Sequence, residues 1–87
     1  MFGGEQKNIE LRCKNEAIEE VLDRFGLNTP IRPQEDGTFI VRTSALISEG
    51  LISWILGFDS IEVLGPIELR KQISERVKRL NEKYKEL

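Results

Sequence analysis

Two hydrophobic periods alternate along the chain, and their order predicts its elements. From Ile9 to Lys14 the apolar Ile9, Leu11 and Cys13 alternate with Glu10, Arg12 and Lys14, the two-residue period of a strand covered on one face. The period then changes. Ala17, Ile18, Val21, Leu22 and Phe25 fall at helical spacing with Glu16, Glu19, Glu20, Asp23 and Arg24 opposite. This predicts a helix from Glu16 to Phe25, capped by Asn15, stopped by a left-handed Gly26, with Leu27 packing back on it. Asn28 to Glu35 carries Pro30 and Pro33 around Ile31, and proline donates no ladder hydrogen bond, so the short strand here belongs at a sheet edge. Asp36-Gly37 is a hairpin turn signal. Thr38 to Ala45 then alternates, with Phe39, Val41, Thr43 and Ala45 on one face and Ile40, Arg42 and Ser44 on the other.

Ser48 suits the N-cap of a short helix that is nearly continuous in apolar residues to Leu56, with Gly57 as its stop. Ser60 to Leu64 reads as a fourth strand, and Gly65-Pro66 opens a last helix, with proline in a first turn where its missing N–H is not needed. That helix carries Leu69, Ile73, Val77, Leu80, Tyr84 and Leu87 at spacings of four, four, three, four and three, a narrow stripe of heptad type. Its last two turns extend past the expected core, which makes Leu80, Tyr84 and Leu87 candidate contacts with another surface. The alternative is a helix that caps its own sheet. The order is that of an α+β, ferredoxin-like βαββαβ antiparallel sheet backed on one face by two helices, with an additional C-terminal helix. In that topology strands two and four are the edges.

Composition narrows the function more than it names one. At 87 residues the chain has room for one domain, and a chain of this size buries only about 60% of its unfolded surface. With 39% hydrophobic and 32% charged residues it is globular in type. No apolar run approaches the roughly 20 residues that cross a bilayer and no leader precedes a cleavage site, so no membrane partner and a cytoplasmic location are expected. One cysteine and no histidine leave the usual zinc and nucleophile–base arrangements without parts. Cys13 shares its face with Ile9 and Leu11 and reads as core.

The net charge of −2 conceals an asymmetry: Met1 to Ile67 holds six basic and eleven acidic residues, Glu68 to Leu87 seven and four. The basic Arg70, Lys71, Arg76, Lys78, Arg79, Lys83 and Lys85 are interleaved with glutamates and lack an aromatic platform. They therefore read as a solvated face and not a nucleic-acid groove. Enzymes of similar fold, such as acylphosphatases, use a glycine-rich phosphate loop with an arginine, which is missing, so neither catalysis nor a cofactor is expected.

Several landmarks stand together in order. Ile9-Glu10-Leu11-Arg12-Cys13 is followed by Asn15-Glu16 with Val21-Leu22-Asp23-Arg24-Phe25-Gly26. Later come Ser53-Trp54-Ile55-Leu56 and Val63-Leu64-Gly65-Pro66 with Leu69-Arg70. These resemble the C-terminal extension (WCX) domain of bacterial WYL-domain, helix-turn-helix transcriptional regulators, with Met1 to Glu5 similar to the joint at which the WYL domain ends. One departure is Asp59, where members usually carry glycine after the phenylalanine. The resemblance implies a connector over residues 1–8 and the extension domain over 9–87. It implies a regulatory or interaction domain that contributes to dimerisation or effector response, in a homodimer that meets DNA only through an upstream helix-turn-helix domain and answers an unknown effector ligand. The alternative is a small-molecule-sensing ferredoxin-like domain. Trp54, which shares helical surface with Leu51 and Ile55, reads as core, or else as a partly exposed interface anchor. Arg70 is a candidate for a structural salt bridge or an interface.

Overall fold

The computed structural model describes residues 4–86. The alternation of Ile9, Leu11 and Cys13 is realised as β1 (Gln6–Lys14), which lies at the centre of the sheet. β1 starts at Gln6, within the stretch read as a connector, because β3 (Thr38–Leu46) runs the full length beside it, from Gln6 opposite Leu46 to Lys14 opposite Thr38. Gln6 Nε2 also donates to Ser44 Oγ at 2.8 Å. The two edges are β2 (Ile31–Pro33), paired to β3, and β4 (Ile61–Gly65), paired to β1, in the order β2-β3-β1-β4 with every pairing antiparallel. The strands flanked by proline or shortened by the Gly65-Pro66 junction thus take the positions that need fewest ladder bonds.

Three helices complete the domain: α1 (Ile18–Phe25), α2 (Glu49–Leu56) and α3 (Ile67–Tyr84). Ser48 caps α2 as expected, its hydroxyl accepting from the Leu51 N–H at 3.2 Å. Asn15 does not cap α1. The Lys14 and Asn15 amides are drawn to the Ser60 and Gly37 carbonyls at 2.8 and 3.1 Å, and the chain turns into α1 through a tight 3₁₀ turn, Asn15–Ala17, with no capping side chain. Gly26 has a positive φ of 105° but an extended ψ of 155°, so it leads the chain outward and Leu27 is exposed instead of packing back. Pro66 is the residue before α3, not its first turn; its carbonyl accepts the first intrahelical bond, from the Arg70 N–H at 3.1 Å. The hairpin turn needs Gly37 at φ 84°, and Asp36 Oδ1 accepts from the Thr38 N–H at 3.2 Å. The Thr38 hydroxyl bond chiefly, with its amide, holds the Asp36 carboxyl below its ordinary value.

The inner face of the sheet supplies Ile9, Leu11, Cys13, Phe39, Val41, Ala45, Ile61 and Val63 to one core. Ala17 and Val21 cover it from the first helical segment, Leu51, Ile52 and Ile55 from α2, and Leu69 from α3. No polar or charged residue is buried among the described residues, so no desolvated group has to be compensated. The architecture is an α+β ferredoxin-like fold with a C-terminal helix added.

Leu69 is 0% exposed and Leu27 is 85% exposed, which sets up a direct comparison. Leu69→Ala is expected to cost about 2–5 kcal/mol and Leu27→Ala no more than about 0.5 kcal/mol, measured by urea unfolding. Equal costs would show that the core does not extend to α3.

Candidate functional site

The additional helix begins at a cis Gly65–Pro66 peptide and runs back along β4. The two elements differ in reach: 18 helical residues span about 27 Å and five strand residues about 17 Å. The apolar stripe of α3 is therefore buried where it faces the sheet and uncovered beyond it. Leu69 is 0% exposed and Ile73 half-buried, whereas Val77, Leu80 and Tyr84 are 47%, 38% and 62% exposed. Leu80 and Tyr84, singled out from their spacing, thus lie on the distal half of α3. Leu87 lies outside the described residues.

Between the end of α2, β4 and α3 lies a trough of about 450 Å³. Its walls include Ile55, Phe58, Ile61, Val63, Ile73 and Val77, with Asp59, Glu62 and Arg70 as its charged members. Arg70 has a definite local task. The Lys14 N–H reaches the carbonyl of Ser60, the residue before β4, so position 62 also turns its backbone groups toward β1, and 61 and 63 turn theirs to the open edge. Arg70 Nη1 donates to the Val63 carbonyl at 2.6 Å and lies 3.4 Å from Glu62 Oε2 on the far side of the strand. It therefore covers an edge carbonyl that would otherwise be a template for another chain. Glu62 also lies 3.8 Å from Arg12, but these side chains are half exposed and each pair contributes only about 0–1 kcal/mol. Arg76 pairs with Glu49 and ties α3 to the start of α2.

Trp54 is half-buried and not in the closed core. Its ring makes T-shaped contacts with Phe25 and Phe58 at centroid distances of 5.4 and 5.3 Å, and the Arg24 guanidinium lies 5.6 Å from its centroid. The spacing that places Trp54 beside Leu51 and Ile55 is correct, but the α1 and α2 ends meet there at the rim. Cys13 is fully buried, and desolvation pushes its thiol up to about 11, away from the thiolate that reacts or binds metal. Among the described residues no three His, Cys, Asp or Glu side chains are grouped to hold a metal, and no helix is long and apolar enough to cross a membrane. Sequence reasoning found the distal stripe; it missed the trough and the carbonyl partner of Arg70, which exist only once β4 and α3 lie side by side.

A family model described as WCX domain matches residues 5–80, most of the chain. The matched segment stops at Leu80, and α3 continues past it to Tyr84. No curated protein matches the chain.

Replacing Arg70 by lysine keeps the charge but loses the guanidinium Nη1, the one nitrogen that meets both the Val63 carbonyl and Glu62. The expected cost is about 1 kcal/mol in urea unfolding. An unchanged midpoint would mean that the edge bond contributes nothing to folding.

Proposed function

The chain belongs to the WCX domain family, the C-terminal extension of WYL-domain regulators, and from that premise we propose that it is the non-catalytic regulatory and contact module of a bacterial DNA-binding transcriptional regulator. In this reading DNA is met by a helix-turn-helix domain upstream, a WYL domain lies between, and the present domain contributes contacts that hold the homodimeric regulator together and respond to its effector. The reading is carried by one observation. The apolar stripe of α3 leaves its own core after Ile73 and presents Val77, Leu80 and Tyr84 outward. Side chains of this kind at a spacing of four and three form a helix-packing seam, and a large aromatic in such a seam is a common anchor. A thiol held protonated by its burial, and a core without buried charge among the described residues, fit a role played by surfaces.

The test uses a complete regulator carrying this domain. Leu80→Glu combined with Tyr84→Glu is expected to weaken assembly by roughly thirtyfold or more, read by sedimentation, and to abolish the operator response, while the isolated reader domain still binds DNA. Assembly and response unchanged in a variant with native circular dichroism would contradict the reading.

A further inference from the structure

The uncovered stripe of α3 carries a charge pattern that its packing within the domain does not use. With Ile73, Val77, Leu80 and Tyr84 as the seam, the positions flanking it on one side are Arg76 and Lys83, and on the other Ser74 and Asn81. Lys78 and Arg79 stand one step further out, as do Lys85 and Glu86 just past the helix. Glu68, Glu75 and Glu82 recur every seven residues on the line furthest from the seam. Every carboxylate on α3 is thus kept away from the positions that would touch a partner helix, which are all positive or neutral.

The domain itself consumes little of this charge. Arg76 is engaged by Glu49, and Lys85 lies 3.3 Å from Glu82, but Arg79 and Lys83 have no ion-pair partner among the described residues. Self-pairing does not consume it either. Two α3 helices packed antiparallel set Arg76 and Lys83 against the same residues of the copy, and packed parallel they bring Ser74 and Asn81 to those flanks, so neither arrangement supplies a carboxylate. The seam is two or three side chains wide and lacks the broad apolar face that lies in a lipid interface.

We infer that the distal half of α3 is the docking surface for an α-helix whose own apolar stripe is flanked by glutamate or aspartate. This rests on the reading of distal α3 as a contact surface and specifies its mate. Val77, Leu80 and Tyr84 supply the apolar seam, and Lys83 with Arg79 selects the partner by charge. Such selection by flanking charge discriminates partners more than it adds affinity.

The experiment uses the full chain and two fluorescent helical peptides of four heptads, identical in their leucine seam, one with glutamate and one with lysine at the flanking positions. Fluorescence anisotropy should show the glutamate peptide binding about tenfold or more tightly than the lysine peptide, with the gap closing as salt is added. The Arg79→Glu, Lys83→Glu variant should reverse the preference, and Tyr84→Ser should weaken both peptides alike. Equal binding of the two peptides, or no reversal, overturns the charge-selected mate while leaving the contact surface standing. Self-association of the wild-type chain that Tyr84→Ser abolishes also overturns it, in favour of a second copy as occupant. No binding of either peptide up to about 1 mM, with a monomeric chain, overturns both the mate and the contact surface beneath it.

Discussion

β1 is paired on both of its edges, with β3 along its whole length and with β4 from Glu10 to Cys13, and its inner side chains Ile9, Leu11 and Cys13 are all buried. Every other element is placed by reference to that strand. A one-residue slip of its register would turn Glu10 and Arg12 into the core and Leu11 into water, so the alternation of side chains and the pairing of backbones enforce each other. The outer face shows the same register from the other side, with Arg42 Nε donating to Glu10 Oε2 at 3.1 Å across the β1–β3 pair. This is an exposed pair and contributes little; burial of the inner face carries the fold.

The central strand also explains why the last helix is only half used. β4 is attached to β1 over a short span and gives α3 a short bed, enough for Leu69 and Ile73 to reach the core. Burying such side chains contributes about 1.5–3 kcal/mol each, well above what the Arg70–Glu62 and Arg76–Glu49 pairs supply at the surface. The root of α3 is therefore fixed by packing, and its far half is left to present side chains. The domain thus combines a rigid base with an uncovered seam.

Much of this arrangement was legible in the residues, and the failures have physical reasons. The edge position of β2 followed from Pro30 and Pro33, and the hairpin from Asp36-Gly37, because these constraints act within a few residues. The start of β1 was not legible: Gln6 and Lys7 have no apolar alternation, yet their backbones pair simply because Ala45 and Leu46 lie opposite. Local preference suits Asn15 to a cap, but sheet hydrogen bonds at Lys14 and Asn15 determine how that turn begins. Trp54 lies on the side of α2 that its spacing indicates, and only the meeting of two helix ends leaves it at the rim between Phe25 and Phe58. The stripe of α3 could be seen in the sequence, while the point at which it leaves the core depends on the length of β4.

In the proposed arrangement the self-sufficient fold ends near Ile73, and the far half of α3 adds little to it. The most direct measurement is the unfolding free energy of the chain truncated after Arg79, set beside that of the full chain in urea. A difference within about 1 kcal/mol is expected, the size of lost helix-end interactions without core packing. A loss of about 3 kcal/mol or more would mean that Leu80 and Tyr84 belong to the domain's own core, and would contradict it.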